Sequence, residues 1–319
     1  MIFIKIFGEL FGGVIGLCIA DAIGVPVEFC SRKELERDPV TDMRGYGTYN
    51  QPPGTWSDDT SMTLCLLDSL AGGLDYDDIM KKFLSWFNRG EYTPYGELFD
   101  IGIRTRKSIM NFAKGTPALQ CGGASENDNG NGSLMRILPL AFYLKAHYGE
   151  NYADNDEAFS IIHNVSALTH AHKRSLIACG IYLSVVECLF VADDIKSGVS
   201  AGLGKAKNYY GNNPDFAEEL QHYGRIFADG FADLPQGEIK SSGYVVDTLE
   251  AALWCLLTTD SYRNCVLKAV NLGRDTDTVA AVAGGLAGLY YKAIPDVWLA
   301  QIPRLDYIKQ LCSNLYAGG

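Results

Sequence analysis

Apolar residues recur along most of this chain at three- and four-residue intervals, and alternation of period two is almost absent. The spacing predicts helices over residues 3–20, 61–70, 77–89, 97–114, 156–169, 173–192, 247–259, 262–272, 279–291 and 296–316, with a polar, peripheral pair within 195–229. Residues 31–54, charged and then rich in Gly and Pro, predict a surface loop, and Gly115–Gly132 predicts another that enters Ser133–Leu140. Roughly a dozen helical segments, with no fixed-period repeat and no low-complexity linker, predict an all-α protein. We expect a single domain over residues 1–319, folded as one large orthogonal helical bundle.

One predicted helix stands out. The run from Val279 to Tyr291 is made largely of Ala and Gly, which lets neighbouring helices approach closely. Gly284, Gly285 and Gly288 each cost about 1 kcal/mol relative to Ala in a helix, so tight packing has to offset them. Asp275, Asp277 and Thr278 stand at its entrance. An Asp there caps a helix and suits its dipole, but capping does not require all three. Oxygen donors straddling a helix start also converge on a hard cation. A second acid-rich start, Ser57-Asp58-Asp59-Thr60, repeats the chemistry. Brought together, the carboxylates repel one another unless divalent cations intervene. Hard oxygens favour Mg2+ or Mn2+, and two such ions about 3.5–4 Å apart can polarise a substrate oxygen or a water.

Other residues extend this reading. Gly24 and Pro26 stop the first helix and send the chain out extended, carrying Glu28 as a general base, a substrate-positioning group or a structural carboxylate. Asn127–Gly132 is either a flexible turn or a backbone N–H nest at a helix start, suited to phosphate or sugar hydroxyls. Tyr244, behind a glycine, is a core aromatic or a stacking platform. His170 and His172 lack a third soft ligand nearby, so a hydrogen-bonding role in a polar cleft is the better reading than zinc. The residues alone therefore describe a binuclear-metal hydrolase for a phosphate- or sugar-bearing ligand.

Composition narrows the partners. The formal net charge of -11 argues against general nucleic-acid binding, which needs a basic face. There are nine cysteines, an odd number without a Cys-x-x-Cys pair, and Cys18, Cys65, Cys179, Cys188, Cys255 and Cys265, in apolar helical stretches, read as core residues of a cytoplasmic protein in a reducing compartment. Phe7–Ala22 is apolar after Lys5, and Ala20-Asp-Ala22 looks like a cleavage site. Glu9, four glycines and Asp21 interrupt or end that run, which predicts a buried helix, too short to span a bilayer, rather than a signal peptide. No membrane partner is expected, and the protein is expected to be a monomer.

The motifs carry a family resemblance. Gly16-Leu-Cys-Ile-Ala-Asp21-Ala-Ile-Gly24-Val-Pro26-Val-Glu28-Phe29, Thr55-Trp-Ser57-Asp58-Asp59-Thr60, Asn131-Gly-Ser-Leu-Met-Arg136, Thr169-His170, Gly243-Tyr244 with the helix to Trp254, and Gly273-Arg-Asp275-Thr-Asp277-Thr278 follow in order. Together they resemble the ADP-ribosylglycohydrolase family, which includes arginine- and serine-linkage hydrolases. The resemblance implies an all-α fold, two Mg2+ (or Mn2+) ions in a cleft, and an ADP-ribosylated protein or small-molecule ADP-ribose conjugate as substrate, with arginine the foremost acceptor. It implies Ser57, Asp58, Asp59, Asp275, Asp277 and Thr278 as metal ligands, with Glu28 and Asp59 as catalytic groups. Gly130, Asn131, Ser133 and His170 would contact phosphates and ribose, and Tyr244 would stack on adenine. Ala20-Asp21 departs from the more usual Gly-Asp. Asp128-Asn129 lacks the aromatic of the serine-linkage branch, which counts against a serine-linked substrate. Asp275-Thr-Asp277-Thr-Val279 also matches the nucleophile motif of haloacid-dehalogenase-like phosphatases, but that motif needs a preceding strand in an α/β domain. A catalytically weak, crystallin-like binder is a third reading, and it sits poorly with a full set of ligand positions.

Overall fold

The computed structural model describes residues 2–318, with side chains described from Phe7 to Tyr316. Fifteen α-helices follow one another among the described residues: α1 Ile2–Gly24, α2 Arg32–Arg37, α3 Asp58–Leu70, α4 Tyr76–Arg89, α5 Ile103–Ala113, α6 Pro139–Tyr148, α7 Asp156–Ala167, α8 Lys173–Leu189, α9 Ile195–Gly211, α10 Ala217–Leu220, α11 Val245–Leu257, α12 Tyr262–Val270, α13 Thr276–Tyr291, α14 Asp296–Leu299 and α15 Leu305–Gly318. No sheet forms among them; extended pairing is limited to isolated bridges such as Gly123 with His170 and Gly130 with Tyr244. The all-α expectation holds, and the buried apolar side chains form one continuous core.

Several boundaries differ from the pattern. The 31–54 stretch is not all loop: Ser31 and Glu34 form a reciprocal capping box that starts α2, and Gly47–Tyr49 forms a 3-10 turn. Helix α5 begins only at Ile103, after 97–102 run as coil. Residues 133–138 make turns, and α6 starts at Pro139, where a missing N–H costs nothing. The Asn-rich loop therefore does not sit on a helix N-terminus. The peripheral pair reduces to α9 and the single turn α10. The 296–316 segment divides into α14 and α15 around Pro303.

Helices α1 and α13 form the centre, with glycines facing glycines. A Cβ on Gly16 would lie 2.6 Å from the Gly284 carbonyl oxygen, and one on Gly288 would lie 2.2 Å from that of Gly12. The contact continues to the end of α1, where a Cβ on Gly24 would lie 2.4 Å from Asp277 Cα. Backbone thus meets backbone along both helices, which offsets the low helix propensity of glycine. The consequence for function is register. Asp21, near the end of α1, and Asp277, at the start of α13, are fixed at one level. The apolar stretch Phe7–Val27 is, contrary to the reading of its length, long and apolar enough to cross a bilayer, yet nearly all of it is buried inside the fold.

Candidate active site

The two acid-rich helix starts converge. Thr278 Oγ1 donates to Asp59 Oδ2 at 3.3 Å, and Ser57 Oγ donates to the same oxygen at 3.0 Å. Asp58, Asp275, Thr278 and Glu28 line one cleft of about 320 Å³, within the range of small-molecule pockets. Of the six residues read as metal ligands, Asp58, Asp275 and Thr278 line the cleft, and Ser57, Asp59 and Asp277 lie buried against them.

Capping does not account for these acids. The orphan N–H of Thr60 and the N–H of Ser57 are taken by Asp21, a residue of α1, at 3.1 and 3.0 Å, and Thr60 Oγ1 donates to Asp21 at 2.6 Å. Ser57 Oγ takes the Asp59 N–H at 3.2 Å. Asp58 and Asp59 are thereby released from capping α3. At the other helix start, Asp275 is the N-cap residue but makes no capping hydrogen bond through its side chain. Its Oδ2 instead accepts from Asn131 Nδ2 at 2.9 Å.

Oxygens of Asp21, Asp59 and Asp277 lie within 4.8 Å of one another, as do oxygens of Glu28, Asp275 and Asp277. Buried Glu28 Oε2, Asp59 Oδ1, Asp275 Oδ1 and Asp277 Oδ2 have no hydrogen-bond partner. Burial first, and neighbouring carboxylates second, push Asp58, Asp59 and Asp277 well above the usual carboxylate range. Glu28 rises to about 8 through burial and the nearby Asp100 charge, and Asp21 to about 6 through burial. A group of buried hard oxygens in mutual repulsion, several without donors, suits divalent cations. Burial opposes the charge, and a cation is what would restore it.

Two acids escaped the sequence reading. Asp21 ends the apolar run and stands in the first motif without an assigned site role, yet it anchors α3 and joins the acid group. Asp100 lines the cleft with Glu28, and its charge helps to raise Glu28. Asp100 and Tyr49 sit in irregular segments with no motif spacing around them; only the quoted Ala20-Asp21 motif could have flagged Asp21.

The remaining predicted residues divide. Gly130, Asn131 and His170 border the cleft. Asn131 Nδ2 also reaches Thr248 Oγ1 at 2.9 Å, and its N–H donates to Gly243 O at 3.1 Å. Gly132 permits close approach of His170, since a Cβ there would lie 2.8 Å from the ring. Burial and the Arg136 and Arg104 charges push His170 down to about 3, so the imidazole is neutral, with Nδ1 paired to Thr169 Oγ1 at 2.8 Å. Arg136, fully buried over the Phe83 ring, donates to Gly132 O and to Val165 O and so fixes the turn. Ser133 departs from expectation: its hydroxyl is buried and accepts from Ser166 Oγ at 2.9 Å, so its side chain serves the core instead of the cleft. Tyr244 precedes α11, half-buried, with its hydroxyl held by Arg174 at 3.0 Å. The strand required before Asp275 by the phosphatase reading is absent; a turn after α12 leads into it.

Comparison with known proteins agrees with this geometry. The family model for ADP-ribosylglycohydrolase matches residues 5–319. The chain is 34% identical over 309 residues to ADP-ribosylarginine hydrolase Tri1 of Serratia proteamaculans, covering 96% of this chain and 78% of that protein. It is 31% identical over 298 residues to the ADP-ribosyl-[dinitrogen reductase] glycohydrolase of Rhodospirillum rubrum, covering 91% and 89%. A solved structure described as an ADP-ribosylglycohydrolase-related protein complex superposes with a TM-score of 0.78 at 29% identity, covering 98% of each chain. With matches spanning nearly its whole length and an acid cleft in the position its motifs require, the chain belongs to the ADP-ribosylglycohydrolase family of hydrolases.

Proposed function

We propose that this protein is a divalent-cation-dependent hydrolase that cleaves the glycosidic bond between ADP-ribose and an acceptor, foremost an arginine side chain of a protein. The observation that carries the reading is the buried cluster of carboxylates with unpartnered oxygens on the floor of the cleft. The relatives that act on ADP-ribosylarginine or on ADP-ribosyl-dinitrogen reductase support the substrate class. Ser57, Asp58, Asp59, Asp275, Asp277 and Thr278 would hold two Mg2+ or Mn2+ ions. When bound, such ions supply positive charge that polarises substrate oxygens and eases deprotonation of water.

The chain's own groups do the rest. Gly130, Asn131 and His170 border the cleft where the diphosphate and ribose would lie, and the turn that Arg136 holds fixes their positions before ligand arrives. Tyr244 would stack on adenine. Cleavage breaks the bond from the anomeric carbon to the guanidine nitrogen through an oxocarbenium-like state. Water adds its oxygen to that carbon, and the guanidine leaves with a proton. Glu28 orients the water or takes its proton, with Asp59 as the other candidate base. Asp100, on the same cleft as Glu28, adds negative charge beside a cationic acceptor. A guanidinium suits Glu28, Asp58 and Asp100 better than a neutral serine hydroxyl does. We read the protein as a monomeric cytoplasmic enzyme, and its nine free thiols suit a reducing compartment.

The test is a hydrolysis panel of arginine-, serine- and base-linked ADP-ribose conjugates in Mg2+ and in EDTA. Release of ADP-ribose from the arginine conjugate in Mg2+, and none in EDTA, is expected. Full turnover in EDTA overturns the metal reading; preference for serine overturns the acceptor. ADP-ribose binding without turnover of any conjugate turns the protein into a binder.

A further inference from the structure

The outer lip of the cleft carries residues that the fold itself does not explain. Phe29 follows Glu28 and adopts φ 67°, a left-handed conformation that is an outlier for a bulky side chain. Its backbone is held there: Phe29 N–H donates to Arg274 O, and Arg274 N–H donates to Cys30 O, each at 2.7 Å. This reciprocal pair ties Glu28 to Asp275, so the fold requires the turn. It does not require phenylalanine. Gly or Asn would take the same backbone with less strain. Nor does burial compensate, because Phe29 is 65% exposed and its ring meets Tyr49 only at a 6.4 Å centroid distance.

Ile103, at the first position of α5, stands on the same cleft and is 76% exposed. Single exposed apolar residues are ordinary and need no explanation. These two differ in location: both border the acid cleft and both continue onto the open surface. The lip beneath Phe29 is also rigid. Gly47 lies so close to Pro26 that a Cβ would sit 1.9 Å from its carbonyl oxygen, and Thr48 Oγ1 donates to Glu28 O at 2.8 Å. Backbone strain and exposed apolar surface kept together at a rigid functional rim mark a contact made outside the fold.

We propose that Phe29 and Ile103 form an apolar lip that grips the polypeptide around the ADP-ribosylated side chain, and so select protein substrates over free conjugates. The proposal rests on the reading of the cleft as an ADP-ribosyl hydrolase site. The occupant is a protein segment bearing a modified arginine with apolar neighbours. The acids Glu28, Asp58 and Asp100 complement its guanidinium, and the lip meets the residues flanking it.

The experiment compares steady-state kinetics on an ADP-ribosylated protein and on ADP-ribosyl-agmatine, which has the guanidinium but no polypeptide. The variants are Phe29→Asn and Ile103→Ser. Each is expected to raise KM for the protein substrate about tenfold, the scale of losing a well-buried apolar contact. Both should leave kcat and the KM for ADP-ribosyl-agmatine unchanged. The melting temperature of Phe29→Asn should equal or exceed that of the wild type, since the substitution relieves left-handed strain without removing a buried side chain. An unchanged KM for the protein, or an equal rise for both substrates, overturns the lip. A lower melting temperature with equal kinetics makes Phe29 a packing residue. Wild-type protein that cleaves neither substrate overturns the hydrolase reading, and the lip falls with it; wild-type protein that cleaves both, with variants that match it, overturns the lip alone.

Discussion

On the floor of the cleft, Asp58, Asp59, Asp275 and Asp277, from two helix starts, crowd together with Glu28, and four oxygens of this group lack partners. On the wall formed by residues 129–131 and 243–245, polar groups are paired instead. Asn131 N–H donates to Gly243 O, Val245 N–H donates to Asn129 O, and Ser175 Oγ donates to Asn129 Oδ1. The floor is held by contacts remote from its own chemistry, the glycine-to-glycine packing of α1 on α13. The wall is held by the groups that line it. Desolvated carboxylates left without donors destabilise a fold, whereas satisfied backbone pairs do not. The difference teaches that the floor is organised for a ligand the protein must acquire, and the wall is organised in advance.

The largest effect expected from breaking this contrast is at Asp277. Asp277→Ala should lower turnover by about a thousandfold, on the scale of losing a principal electrostatic group. In chelator the same variant should melt no lower than the wild type, because it removes a buried carboxyl whose Oδ2 the fold leaves without a partner. Only the wild type should then gain stability from added Mg2+, by mass action on the native state. A variant that melts far lower in chelator would show Asp277 to be a structural capping residue.

Glu28→Gln keeps shape and hydrogen bonding but cannot accept a proton. Turnover should fall about 100-fold while metal and ADP-ribose binding persist, as titration calorimetry would register. Wild-type turnover would move the base to Asp59.

The wall is tested by ligand. ADP-ribose should bind about tenfold or more tightly than AMP, a difference of about 1.4 kcal/mol, because AMP lacks the distal ribose that reaches the floor. Equal affinities by calorimetry would show that the floor takes no part in recognition.

The smallest effect is the pH dependence of the metal-free protein. Glu28 is raised from 4.5 to about 8 in the fold, chiefly by burial. Between those values the unfolded chain has already released the proton that the folded chain keeps, so stability falls as pH rises and levels off above about 8. Asp58, Asp59 and Asp277 shift in the same direction. Melting temperatures of chelated protein should therefore be lower at pH 8 than at pH 6, and saturating Mg2+ should flatten the difference. A flat profile in chelator would mean that the carboxylates are already compensated.

The chain's periodicity determined the helical class, and the repeated acid-rich helix starts, Ser57–Thr60 and Asp275–Thr278, made most of the floor legible. Local chemistry suffices there, because spacing along a helix start sets which oxygens share a direction. The Ala-Gly run of α13 likewise announced a central helix. Tertiary structure decided what spacing cannot carry. Asp21 takes over the capping of α3 from another helix, and Gly24 lets the same end of α1 meet Asp277 across the fold, contacts that no local spacing announces. Asp100 and Tyr49 reach Glu28 from irregular segments whose paths are set by long-range packing rather than local period. Ser133 reads as a loop hydroxyl beside an Asn-Gly turn, yet the turn pinned by Arg136 directs it into the core, toward Ser166. A sequence pattern fixes which residues lie on one face of a helix; which helix ends meet, and which acids remain unpaired there, depends on backbone contacts between distant segments.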